Sequence, residues 1–203
     1  MIGIIDYGVG NLFSLRRSLE YVGAEAVVSG DEAVLRSVGK LILPGVGAFG
    51  DAAAKLRATG LDRLVLEEAA AGKPLLGICL GMQLLFEESE EYGLHKGLGL
   101  LPGRVVAMEG RLPAGLPIPH IGWNGLILTN PACPLFRDTK DGDCVYFVHS
   151  YYAEGCGDAL AATAEYGLDL TATVWRDNVY GCQFHPEKSG PVGLAMLRAF
   201  VEV

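Results

Sequence analysis

Paired cysteines, basic clusters and long apolar runs are all missing from this chain, and each absence removes a class of protein. The five cysteines, Cys79, Cys133, Cys144, Cys156 and Cys182, are odd in number and widely spaced, which speaks against a disulfide framework and against a C-x-x-C zinc or redox site. No run of Lys and Arg exceeds two residues and the formal net charge is -8, the wrong sign for a nucleic-acid surface. Every apolar run is short and broken by Gly, Pro or a charge, so no membrane span is expected. The opening MIGIIDYG has neither a basic segment nor a long apolar one, so no signal peptide is expected and the default location is cytoplasmic. Histidine is scarce, at four residues, and none of the spacings matches a motif such as HExxH, so neither a metal nor another cofactor is expected.

Core-forming material is plentiful. Of the 203 residues 50% are hydrophobic and 20% charged, which suits an ordered chain, and the length suits one domain spanning 1–203. No internal repeat, low-complexity tract or linker interrupts it. The first half alternates. Short apolar stretches at 2–5, 24–28, 40–44 and 74–78 read as buried strands. Between them lie helical patterns at 12–22 (capped by Asn11), 31–37, 48–58 and 61–71, and another begins at Leu80. That order predicts an α/β fold with a mostly parallel sheet flanked by helices. The second half is richer in strands, at 103–107, 125–129, 144–148, 170–175 and 179–183, before a last helix at 190–200.

The stretch PLLGICLGMQLLFE, residues 74–87, places Cys79 between Gly77 and Gly81 where a strand turns into a helix. G-x-C-x-G is the cysteine form of a nucleophile elbow. On so cramped a turn flanking β-carbons would collide, which accounts for both glycines. The turn also sets the sulfur at a helix N-terminus, whose dipole favours thiolate, and makes the Leu80 amide available to an oxyanion. A thiolate needs a base and the base an orienter. In GCQFHPEKSG, His185 follows a strand, Pro186 keeps it extended, and in extended chain His185 and Glu187 face one way. The loop Leu43-Pro44-Gly45-Val46-Gly47-Ala48-Phe49, also at a strand end, can supply a second oxyanion donor. Each motif has a plainer alternative taken alone: a buried structural cysteine, a turn that happens to hold a histidine, and a simple connection. Together they favour a Cys79–His185–Glu187 triad.

PGVGAF, GICLGMQLLFE and FHPE, in that order, resemble the class I glutamine amidotransferases of the triad type, whose fold is flavodoxin-like. The segments DYGVGN, HIGWN, YFVHSYY and HPEKS narrow the likeness to members that serve histidine biosynthesis. The resemblance implies that Cys79 attacks the side-chain carbonyl of glutamine, that His185 moves the proton, and that a γ-glutamyl thioester follows. The oxyanion is then held by the 46–47 peptide (Val46, Gly47) and by Leu80. It implies glutamine recognition by Gly47, Gln83, Glu91 and the backbone of His149, Ser150 and Tyr151. The residues alone make 87–91 a solvated acidic helix end instead. It also implies a heterodimer with a cyclase subunit, a (β/α)8 barrel that receives the ammonia, with Asn11, Trp123, Tyr146 and Lys188 facing it. A core position is the plain alternative for Trp123. The Val46 peptide is expected to be misaligned in the isolated chain and to turn when the partner binds its nucleotide. Three rivals stay open: a glutaminase serving pyridoxal phosphate synthesis, a free-standing γ-glutamyl cysteine hydrolase, and a binding module without activity.

Overall fold

The structure, a computed structural model, describes all 203 residues. Its strands are β1 (Ile2–Ile5), β2 (Ala26–Ser29), β3 (Lys40–Gly45), β4 (Leu75–Cys79), β5 (Glu88–Ser89), β6 (His95–Lys96), β7 (Arg104–Ala107), β8 (His120–Gly125), β9 (Ile127–Leu128), β10 (Cys144–His149), β11 (Tyr151–Glu154), β12 (Leu160–Glu165), β13 (Asp169–Arg176) and β14 (Val179–Cys182). The helices are α1 (Leu12–Tyr21), α2 (Glu32–Ser37), α3 (Phe49–Ala58), α4 (Leu61–Ala70), α5 (Leu80–Gln83) and α6 (Gly190–Glu202). None is long and apolar enough to cross a membrane.

The main sheet has the order β2-β1-β3-β4-β14-β13-β12-β9. Its first five strands pair in parallel and the last three are antiparallel. A four-stranded sheet β11-β7-β5-β6 and the pair β10-β8 lie apart from it. The continuous apolar strands of the first half are covered on both faces, and their residues divide between two cores by the period-two rule. Ile5, Leu41, Leu43 and Leu75 join Leu56, Leu64 and Val65 of α3 and α4. Ile2, Ile4, Ile42, Leu76 and Ile78 join Leu15 and Leu19 of α1 and Leu197 and Phe200 of α6. Each such side chain, fully buried, contributes about 1.5–3 kcal/mol. Asn11 and Asp31 cap α1 and α2 by accepting the amides of Ser14 and Val34.

The expected α/β sheet is present, and three details differ. The helix from Leu80 lasts four residues, because the carbonyls that would continue it accept from distant amides: that of Leu84 from Leu98 and that of Leu85 from Leu101. The strand expected at 125–129 is preceded by a longer one, β8, which begins at His120. Strands β5, β6, β11 and β12 stand where none was expected; β12 is LAATAE, poor in the branched side chains that mark strands, and is fixed by its neighbours β13 and β9.

Candidate active site

Gly45 of β3 pairs with Cys79 of β4, so the 46–47 loop and the elbow lie side by side at the carboxyl end of parallel strands. Both elbow glycines are required for the reason given by the sequence. A β-carbon on Gly77 would lie 2.7 Å from the Gly81 carbonyl oxygen and the Met82 Cα, and one on Gly81 would be driven into the Leu43 carbonyl. Cys79 itself has φ 56° and ψ -114°, a positive-φ conformation rare for a residue with a β-carbon and costly by about 1–3 kcal/mol. Leu80, next to it, opens α5, where amides have no partner within the helix.

His185 lies beside Cys79 in the same cleft, of about 600 Å³. Its Nδ1 is 2.8 Å from Oε1 of Glu187, and both side chains are buried. Burial alone would lower the imidazole, but the Cys79 sulfur and the Glu187 carboxylate outweigh it and raise His185 to about 9. The imidazolium therefore persists through neutral pH and is lost only as pH rises past about 9. Its ring resonances are expected to titrate near that value, and Glu187→Gln should move the midpoint down, since one anion is gone while burial remains. An NMR midpoint at or below the ordinary histidine value of about 6.5 in the unaltered chain would mean that this charge arrangement does not form. His149 gives no interfering signal: burial first, then the neighbouring His120 and His185, hold it neutral down to about 3.

The remaining predicted residues fall into two groups. Val46, Gly47, Leu80, Gln83, Glu91, His149, Ser150 and Tyr151 line the cleft with Cys79 and His185. Gln83 donates its amide to the Tyr151 carbonyl at 3.1 Å and to Gln183 Oε1 at 2.9 Å. The His149 ring is held at both nitrogens, by the Tyr151 carbonyl at 2.8 Å and by His120 at 3.1 Å. The carbonyls of Ser150 and Tyr151 are thus committed, the former to the Met108 amide. Glu91 is 8% exposed, not solvated as the residues alone suggested, and its carboxylate accepts the Phe49 amide. The two loop glycines are unlike each other. Gly47 has φ 92° in open space, whereas a β-carbon on Gly45 would meet the Gly81 amide at 2.7 Å. Of the two, Gly47 alone combines a positive φ with open space around its α-carbon.

Asn11, Trp123 and Lys188 reach the surface and Tyr146 is half-buried. Trp123 is 57% exposed, which rules out the core position, and its ring meets that of Tyr146 edge-on at 6.1 Å. Tyr146 also steadies the triad turn: its carbonyl accepts the His185 amide at 3.1 Å and its amide donates to Ser189 Oγ at 3.0 Å. Lys188 alone of the four lines the cleft.

Sequence reasoning missed Gln183 and His120. Gln183, fully buried, directs its amide at Cys79 Sγ over 3.8 Å. Its place two residues before His185, on the same side of an extended segment, was the available signal. His120 is stacked between Phe147 and Tyr166 and bonds His149.

The family model described as Glutamine amidotransferase class-I matches residues 3–203. The chain is 52% identical over 206 residues to "Imidazole glycerol phosphate synthase subunit HisH" of Geobacillus kaustophilus, covering 100% of this chain and 97% of that one. It is 50% identical over 204 residues to the protein of the same name from Syntrophotalea carbinolica, covering 98% of each. Among solved structures, one described as a glutamine amidotransferase superposes with a TM-score of 0.76 at 22% identity, over 99% of this chain and 97% of that one. PurLQS from Thermotoga maritima gives 0.75 at 21%, with the same coverage. These two likenesses are of fold.

Proposed function

Because the chain belongs to the class-I glutamine amidotransferase family, we propose that it is the glutaminase subunit of an imidazole glycerol phosphate synthase, working in the cytoplasm in histidine biosynthesis. The observation that carries this reading is the end-to-end identity of 50% and 52% with relatives bearing that name.

Glutamine enters the cleft with its side-chain carbonyl against Cys79. Glu91, an acceptor, takes the α-ammonium, and the donors of 149–151 take the α-carboxylate. The Cys79 thiolate adds to the carbonyl carbon while His185, steered by Glu187, carries the thiol's proton. The oxyanion that forms is held by the amides of Leu80 and of the 46–47 peptide. On collapse His185 gives its proton to the leaving nitrogen, ammonia departs, and a γ-glutamyl thioester stays on Cys79. Water attacks that thioester, with His185 as base, and glutamate leaves.

Ammonia released into water is mostly protonated and no longer nucleophilic, so a dry route to the next reaction keeps it useful. The partner is a (β/α)8 cyclase barrel that covers the cleft and forms imidazole glycerol phosphate and an aminoimidazole carboxamide ribotide. Exposed Trp123 packed on Tyr146, with Lys188 in the cleft lining and Asn11 at the surface, supports this as the docking face. The Val46 peptide turns into place when the barrel binds its nucleotide, with Gly47 as the pivot.

The test is glutamate release from glutamine by the chain alone, with the cyclase, and with the cyclase plus its ribulosyl-formimino carboxamide nucleotide. Partner and nucleotide together should raise turnover at least about tenfold, a barrier change of about 1.4 kcal/mol. Equal turnover by the chain alone would point to a free-standing hydrolase, and stimulation only by a pyridoxal phosphate synthase barrel would reassign the partner.

A further inference from the structure

The loop proposed to hold the oxyanion is fastened at both ends by side chains from elsewhere in the fold. Before it, the Tyr7 hydroxyl donates to the Pro44 carbonyl at 2.8 Å, across 37 residues of sequence. Tyr7 is 3% exposed, and the surrounding 6–11 turn presses on the same place: a β-carbon on Gly10 would meet the Pro44 ring at 3.2 Å, and one on Gly45 would meet the Tyr7 hydroxyl at 3.0 Å. After the loop, the Phe49 amide donates to Glu91 Oε2 at 2.6 Å. Phe49 is the first residue of α3, and the cap position before it, Ala48, has no side chain able to accept a hydrogen bond. A carboxylate 42 residues away takes over that duty, and a negative group at a helix N-terminus is favoured there.

We propose that Tyr7 and Glu91 are positioning residues that confine movement of the oxyanion loop to 45–48, Tyr7 by anchoring the Pro44 carbonyl and Glu91 by capping α3 while it also meets the substrate. The consequence rests on the glutaminase reading. The loop can turn a single peptide without dragging β3 or α3, and occupancy of the α-ammonium site is felt at the loop's far end through one carboxylate. Burial, and beyond it the charge at Cys79, keep Tyr7 protonated well beyond the ordinary phenol range, so its donor persists at every working pH.

Tyr7→Phe removes only the hydroxyl. In the complex with cyclase and nucleotide, kcat for glutamine should fall about tenfold, the loss of one buried hydrogen bond acting on the transition state. KM, and the rate at which iodoacetamide alkylates Cys79, should stay within about twofold. Unchanged kcat, whatever happens to the melting temperature, overturns the role of Tyr7, as does an equal fall in alkylation, which would place the damage at the nucleophile. Glu91 supplies the independent variant pair. Glu91→Gln keeps an acceptor for Phe49 and loses the charge, so KM should rise with kcat largely kept. Glu91→Ala loses both, so kcat should fall a further fivefold or more. Equal kcat in the two overturns the cap. Amide exchange at Phe49 in the isolated chain reads the cap without any assay of turnover: it should accelerate at least about tenfold in Glu91→Ala and not in Glu91→Gln. Failure of the unaltered complex to release glutamate would count against the glutaminase reading, while the exchange result still decides the cap.

Discussion

Cys79→Ala is expected to leave the fold intact and to lower glutamine turnover in the complex by about five orders of magnitude or more, the scale on which removal of a covalent nucleophile is felt. Alanine is the informative replacement because it keeps the β-carbon. The positive φ of residue 79, and whatever it costs, is then unchanged, and the packing of Gly77 and Gly81 on either side is undisturbed. What goes is the sulfur, with the 3.8 Å approach of Gln183 and one of the two groups that raise His185. The His185 midpoint should accordingly drop, giving a spectroscopic record that the right atom was removed. A glutamate-release assay beside far-UV circular dichroism checks both halves. Residual turnover above about one per cent, in a folded complex, would take the nucleophile away from Cys79.

Gly81→Ala is expected to do the reverse, abolishing the fold rather than the chemistry. The added β-carbon has no exit. It is aimed at the carbonyl of Leu43, a backbone atom of a central strand, and at Pro44 beyond it. A flexible side chain could swing aside; β3, paired to β1 and β4, cannot. Loss of more than about 4 kcal/mol is anticipated, a large part of the stability of a domain this size. Gly72→Ala is the control: its φ is 88° with nothing within 4 Å. Only the conformational cost of about 1–2 kcal/mol then applies. Urea titrations of the two variants should differ by well over a kilocalorie per mole, and a Gly81→Ala chain as stable as Gly72→Ala would mean that α5 can lift away from β3.

The first half of the fold was legible because parallel strands buried on both faces read as continuous apolar runs, and the first two helices between them carry their own caps at Asn11 and Asp31. The elbow was legible for a steric reason that the structure repeats, and the His185–Glu187 pair for a periodicity that it also repeats. Other parts were not legible in principle. Two-residue strands such as β5 and β6 are too short to show any period, and Ala-rich β12 is a strand only because β9 and β13 flank it. Glu91 looks like one acidic residue in a run of them. Nothing local says that the chain will fold it back under α3, and only likeness to a family marked it for the cleft. Trp123 shows the opposite case, a large apolar side chain that composition assigns to the core and the structure leaves in the open.

The backbone at residue 79 bears on how such a chain would age. Were stability the sole criterion, glycine would occupy that turn, since it alone reaches φ 56° without penalty. A copy of this protein released from its chemical duty would gain by drifting through Cys79→Gly, one codon change that relaxes the fold and silences it together. The strain at Cys79 is a cost to the fold that its proposed role as nucleophile accounts for.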